Sequence, residues 1–262
     1  MEDMVFFFYI FRKQVMLRAF RCDLHIHTCL SPCADLDMYP SALIEKSMAE
    51  GLDVIAVCDH NASENVEYAL RLAKGKPITV LPGMEISSLE EVHVLAFFDD
   101  LHDLLQLQAT VYEHLPGSNR EDIFGPQVIV NDRDEVEGMN ERLLIGATDL
   151  PLKDIVNEIH TLGGLAVASH IDRPSYSVLS QLGFIDPETP FDALEISAMT
   201  GMKEARRRYP ELFGHAFIKS SDAHVVRDIG REFTTMILRT ATIHELKLAF
   251  EKREGRHILE GD

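Results

Sequence analysis

The sequence predicts an α/β chain folded as a barrel of alternating strands and helices. Short apolar runs of strand length alternate with amphipathic segments of helical length. The runs are rich in Val, Ile and Leu without strict polar alternation, as strands covered on both faces of a parallel sheet are. Seven such alternations within 262 residues favour a βα barrel over a bundle or sandwich, with an open doubly wound sheet as the rival topology.

Residues 1–15 precede the first strand. Their run Val5–Phe11, VFFFYIF, is too short to cross a bilayer and lacks the basic flank and cleavage site of a signal peptide. They read as a peripheral extension, and as a start-site artefact if Met16 is the true start, leaving residues 16–262 as a single domain. Strands are expected at Cys22–His27, Val54–Cys58, Ile78–Ile86, Val92–Phe98, Leu165–Ser169, Ala193–Ser197 and Ala216–Ser221. Helices are expected at Pro40–Glu50, Ser63–Lys74, Leu152–Leu162 and Thr242–Lys252. Pro40 and Pro151 suit first helical turns, and Gly51 and Gly163–Gly164 suit helix ends. The stretch from about 116 to 149 breaks this rhythm. There Gln127–Val130, the acidic turn Asn131–Asp134 and Val136 onward read as an inserted β-hairpin near the mouth of the barrel.

Acidic residues number 43 against 25 basic ones, a formal charge of −18. Such a surface should repel long polyanions, so no extended nucleic acid is expected as a partner. A small anionic substrate remains compatible if bound metal reverses the sign locally. The four cysteines, Cys22, Cys29, Cys33 and Cys58, form no secreted disulfide framework, which points to a reducing cytoplasm. Cys29 and Cys33 have the wrong spacing for a zinc ribbon and read as ordinary thiols near the site.

The histidines carry the chemistry. His25 and His27 form H-x-H at the end of the first strand, His60 follows the second, and Glu85 ends the third. His93 opens the fourth strand, His170 ends the fifth, and Asp222 and His224 form D-x-H after the seventh. All fall at the C-terminal mouth of a parallel barrel, where barrel enzymes place their reactive groups. Imidazoles and carboxylates at the ends of apolar strands need partners, and a divalent metal is the natural one. His102, His114, His160, His215, His244 and His257 lie in helical or polar stretches and read as ordinary residues.

D-L-H-I-H-T at Asp23–Thr28, C-D-H-N at Cys58–Asn61, G-M-E-I-S at Gly83–Ser87 and S-D-A-H at Ser221–His224 resemble the PHP (polymerase and histidinol phosphatase) superfamily. His93 in V-H-V-L and His170 in A-S-H-I-D-R fall where that family also has ligands. The resemblance covers roughly residues 20–240. It implies a distorted seven-stranded TIM-like βα barrel with three divalent ions, manganese, iron or zinc. Carried over, the first metal takes His25, His27, Glu85 and Asp222; the second shares Glu85 and adds His93 and His170; the third takes His60, His224 and a loop ligand. For that loop ligand the spacing to Pro40 favours Asp35, with Asp37 in reserve and Cys33 behind both. Nine such ligands would leave a local charge near about +3, and a metal-bridging hydroxide with a pKa lowered toward about 7 would attack the phosphorus. Arg173 resembles the family's phosphate-contacting arginine, Lys219 could approach phosphate or cap the barrel, and Glu195 has an orienting role. The expected function is metal-dependent hydrolysis of a phosphoester in a small nucleotide-like or phosphorylated metabolite. The alternatives are a histidinol-phosphatase-like monoesterase, a short-oligonucleotide exonuclease and a non-catalytic scaffold. No membrane partner is expected, and the sequence leaves the oligomeric state open.

Overall fold

The computed structural model describes residues 16–259; the expected N-terminal extension lies outside them. In chain order the elements are β1 (Arg18–Ile26), α1 (Pro40–Ala49), β2 (Val54–Val57), α2 (Glu64–Ala73), β3 (Thr79–Ser87), β4 (His93–Phe97), α3 (Leu101–Glu113), α4 (Glu121–Phe124), β5 (Val128–Val130) and β6 (Val136–Met139). There follow α5 (Leu152–Thr161), β7 (Leu165–Ala168), α6 (Val178–Leu182), β8 (Ala193–Ile196), α7 (Met202–Arg208), β9 (Phe217–Lys219), β10 (Thr234–Leu238), α8 (Ile243–Phe250) and β11 (His257–Ile258).

Nine strands form one nearly closed sheet in the order β11-β10-β1-β2-β3-β4-β7-β8-β9. Its two faces divide the apolar residues cleanly. Leu24, Val54, Ala56, Leu81, Leu95, Phe97, Val167 and Ile218 fill the barrel interior. Ile55, Val57, Val80, Val94, Ala96 and Leu194 face outward against helix residues such as Leu43, Val66 and Ile155. Burial on both faces is why these strands read as continuous apolar runs. Each fully buried Leu, Ile or Phe contributes about 1.5–3 kcal/mol. Beside β11, β10 extends the sheet by pairing antiparallel with β1 from Arg18 to Cys22, which starts β1 earlier than local pattern suggests.

One expectation needs correction. The sheet is mixed: β4 runs antiparallel to both β3 and β7. The turn Ser88–Val92 is too short for a crossover, which takes a dozen or more residues, so only a hairpin fits. The reversal brings the first residue of β4, His93, to the mouth formed by the C-terminal ends of its neighbours.

The barrel closes at this mouth by a bridge between Ile26 and Ala223, with the His27 N–H donating to the Ala223 carbonyl at 3.0 Å. Farther down, β9 and β10 are joined through Thr234 Oγ1, which accepts from the Lys219 N–H at 2.7 Å and donates to the Lys219 carbonyl at 2.8 Å. That seam leaves a cavity of about 760 Å³ beside Phe217, Phe233 and Phe250. The inserted hairpin β5–β6 forms its own two-stranded sheet. It is pinned to the loop after β1 by Val128 N–H to the Cys29 carbonyl and to α2 by Val130 N–H to Asn65 Oδ1, both 2.9 Å. Among the described residues no helix is long and apolar enough to cross a membrane.

Gly164, at the entry to β7, packs against an aromatic ring: a Cβ there would lie 2.6 Å from Phe98 Cε1 and 3.0 Å from Ile159 Cγ2. Gly164→Ala is expected to lower stability by about 1–3 kcal/mol through overpacking. Urea unfolding measures this, and an unchanged midpoint would contradict the packing described.

Candidate functional site

The H-x-H pair reaches the interior through a break in strand register. Cys22 and Asp23 pair with Val54 and Ile55, but Ile26 pairs with Val57, so β1 carries one residue more than β2 across this interval. Leu24 faces inward and Ile26 outward, so the bulge turns His25 and His27 into the barrel. Glu85 and His93 follow the ordinary two-residue alternation from Leu81 and Leu95. At Gly83 a Cβ would lie 2.8 Å from Cys58 Sγ, so glycine lets β3 approach β2 below the site. His170 and Asp222 occupy the left-handed region, at φ 28° and 49°. A backbone held there costs roughly 1–3 kcal/mol per residue, strain that concentrates where side chains are aimed for chemistry.

At the centre lies Glu85, almost fully buried. Its Oε1 is 3.1 Å from His93 Nδ1, 3.3 Å from His170 Nε2 and 3.4 Å from His25 Nε2. Its Oε2 is 3.1 Å from His60 Nδ1 and 3.5 Å from His27 Nε2. Asp222 Oδ1 lies 3.4 Å from His25 Nε2, 3.3 Å from His27 Nε2 and 3.6 Å from His224 Nδ1. Eight of the nine expected metal residues therefore converge.

Their far sides are fixed by hydrogen bonds. Ser31 Oγ donates to Asp59 Oδ1 at 2.7 Å and so accepts from His27 Nδ1 at 3.0 Å. His25 Nδ1 donates to Glu195 Oε2 at 3.0 Å, and the same oxygen accepts the His170 N–H at 3.1 Å. With both Nδ1 atoms engaged, the His25 and His27 Nε2 atoms face each other at 3.0 Å. Two lone pairs at that distance require a proton or a metal ion between them. Glu85 Oε1, His93 Nδ1 and His170 Nδ1 are buried without a hydrogen-bond partner. A donor set of imidazoles and carboxylates gathered around one buried carboxylate, with buried polar atoms left unpartnered, fits divalent metal.

The electrostatics agree. Burial alone would raise the Glu85 carboxyl, but His93, His25 and His60 hold it well below the usual carboxylate range. Burial is also opposed at His25, where Glu195, Asp222 and Glu85 raise the imidazole well above its ordinary value and so favour a positive charge between them. Burial and the charge on His224 push His27 down, toward the neutral form that ligates. Among the described residues three overlapping groups could hold a metal ion: His25, His27 and Asp222; His60, Glu85 and His93; and His27, His60 and His224. Relative to the expected partition, His60 reaches Glu85 and His93 as well as His224.

Asp35 and Asp37 behave differently. Both are exposed and belong to none of these groups; Asp35 is tied in only through its backbone N–H, which donates to the His224 carbonyl at 2.9 Å. Cys33 is likewise exposed and in none of these groups, but it lines the cleft, with hydrogen bonds to both His224 and His60. Desolvation would raise its thiol, but the His60 charge and these bonds outweigh it and hold it at about 6. The cleft measures about 190 Å³, with Arg173, Ser175 and Tyr176 on its outer wall. Arg173 contacts Asp222 Oδ2 from there. Lys219 points away, to Glu232 at 3.0 Å, and takes no part. Of the histidines read as ordinary, His114 pairs with Asp149 at 2.6 Å and His160 with Asp192 at 2.8 Å, outside the cluster. Sequence reasoning missed the orienting roles of Asp59 and Ser31 and the stacking of Tyr176 on His93, with centroids 4.8 Å apart.

No protein-family model matches the chain. It is 23% identical over 240 residues to the uncharacterized protein YqxK of Bacillus subtilis, covering 83% of this chain and 56% of that protein. It is 33% identical over 99 residues to a 5′-3′ exoribonuclease of Haemophilus influenzae, covering 35% of each. Among solved structures, the lesion-specific Endonuclease Q of Pyrococcus furiosus superposes with a TM-score of 0.69 at 19% identity, over 92% of this chain and 58% of that one. An Endonuclease Q complex with a 27-mer duplex, bearing an abasic lesion at the active site, gives 0.67 at 17% identity over the same shares. A two-domain protein of Bacteroides vulgatus described as containing a PHP-like metal-dependent phosphoesterase gives 0.55 at 15% identity, over 93% of this chain and 65% of that one. The chain thus spans little more than half of YqxK and of Endonuclease Q, and about a third of the exoribonuclease.

The duplex complex overturns the expectation of a small phosphorylated partner and no extended nucleic acid. That neighbour, which shares this fold over 58% of its length, is complexed with a duplex whose lesion lies at the active site. The −18 charge is an average over the whole chain, whereas a polyanion responds to the field at the mouth, where Arg173 and four imidazoles line the cleft.

Because Glu195 orients both His25 and the His170 backbone, Glu195→Gln should weaken metal binding about 10–100-fold with every inward-facing group intact. Titration against a metal chelator reads this, and unchanged affinity would remove Glu195 from the account.

Proposed function

We propose that this chain, which has the fold of the PHP-like phosphoesterases, is a metal-dependent hydrolase acting on phosphodiester bonds of nucleic acid. The observation that carries this reading is the buried Glu85 carboxylate within 3.5 Å of five imidazole nitrogens from four different chain segments, opening into a cleft walled by Arg173. The duplex-bound neighbour and the exoribonuclease relative favour a nucleic-acid substrate over a small metabolite.

Bound divalent ions, manganese, iron or zinc and about three in number, would activate the attacking water and neutralise charge on the phosphoryl oxygens. The first position is offered by His25, His27, Glu85 and Asp222, the second by Glu85, His93 and His170, and the third by His60 and His224 with a ligand from the loop after β1. The chain's residues do the rest. Glu195 and the Asp59–Ser31 pair keep the imidazole rings of His25 and His27 turned inward. Asp222 holds the Arg173 guanidinium at the cleft wall, where its fork of donors matches two phosphate oxygens. The 190 Å³ cleft admits a phosphate with its adjoining sugar, so the reacting position is a strand end or one displaced nucleotide. Tyr176, about half exposed and already stacked on His93, offers an aromatic face to a base there.

Prolonged chelation should abolish cleavage of end-labelled single-stranded and duplex DNA and RNA oligonucleotides, and added divalent metal should restore it. Asp222→Ala and His25→Ala should be inactive, and turnover at the wild-type rate in either would refute the site. Arg173→Lys should retain bound metal yet lose about 10-fold or more in kcat/KM, because a point charge cannot replace the bidentate fork.

A further inference from the structure

The loop after β1 brings a thiol, that of Cys33, to the cleft. Ser31 to Ala34 form a β-turn in which the Ala34 N–H donates to the Ser31 carbonyl at 3.0 Å, with Pro32 at the position that fixes its entry. Ser31 is itself anchored, donating to Asp59 and accepting the His60 N–H at 3.1 Å. On the far side, the Asp35 N–H is tied to the His224 carbonyl. Cys33, exposed at the rim of the cleft, sits between these anchors, and its thiol contacts both His60 and His224. Those imidazoles, with His27, form one of the three groups close enough to share an ion. The Asp35 and Asp37 carboxylates do not line this cleft. Cys29 is not an alternative: it is buried, and its thiol donates to the Val128 carbonyl at 3.6 Å.

We infer that Cys33, rather than Asp35, completes the third metal position with His60 and His224, making it a thiolate-containing position selective for zinc or iron over manganese. The inference rests on the metal-centre reading above. Thiolate is a soft donor, and with two imidazoles it suits zinc or ferrous iron, whereas manganese prefers carboxylate and water oxygen. The thiolate carries the same single negative charge as the carboxylate it replaces, so the charge of the loaded centre is unchanged while its metal preference is not. The three positions then differ in kind: two hard ones sharing Glu85, and one softer one at the rim.

Cobalt(II) added to the metal-stripped full-length protein is the probe, read by bound cobalt per chain and by sulfur-to-cobalt charge-transfer absorption in the near ultraviolet. Wild type should show the charge-transfer band. Cys33→Ala should lose the band and about one ion per chain while keeping the wild-type circular dichroism. Cys33→Asp should regain the ion without the band, and Asp35→Ala should keep both. A Cys33→Ala protein that retains the band or the full cobalt content overturns the assignment, as does loss of an ion in Asp35→Ala alone. Wild type that binds cobalt without the band refutes Cys33 but leaves the metal centre standing. Wild type that binds no cobalt sinks both.

Discussion

A carboxylate taken out of water among neutral imidazoles is stable only if positive charge sits beside it, and Glu85 imposes that condition on the whole barrel. Five imidazoles come within 3.5 Å of it, and two of them turn their Nε2 atoms toward each other. Protons on the rings or divalent ions can meet the condition. The bulge in β1, the reversal of β4, and the left-handed backbone at His170 and Asp222 all bring side chains to this one point. The apolar strands beneath supply the rigidity that holds mutually repelling groups together.

Much of this was legible in the sequence, for a physical reason. Strands buried on both faces must be apolar throughout, so a histidine or carboxylate ending such a run stands out. His25, His27, His60, Glu85, His93, His170, Asp222 and His224 were all visible in that way. What spacing could not show was direction. The reversal of β4 follows from the length of one turn, and the parallel expectation missed it. β10 alternates buried and half-buried residues, the pattern of a strand covered on one side, and its pairing with β1 spans most of the chain. In α3, the Asp100 cap accepting from the His102 N–H was a local signal passed over.

The loop after β1 escaped the sequence for a different reason. Counting back from Pro40 selects Asp35, but a β-turn fixed by Pro32 places Cys33 at the rim of the cleft and leaves Asp35 off it. Backbone geometry, not residue count, decides which side chain enters a site from a loop. Net charge misled in a related way, by averaging over a surface what a phosphate group senses only at the mouth.

The central claim is that Glu85 is the shared ligand of a metal cluster. Anomalous diffraction from crystals of the metal-loaded protein tests it most directly. The account predicts separate peaks, one about 2.0–2.2 Å from the Nε2 atoms of His25 and His27 and another at like distance from His93 and His170, with a Glu85 oxygen bound to each. A centre in which the Glu85 carboxylate hydrogen-bonds only to protonated imidazoles, with metal elsewhere, would contradict it.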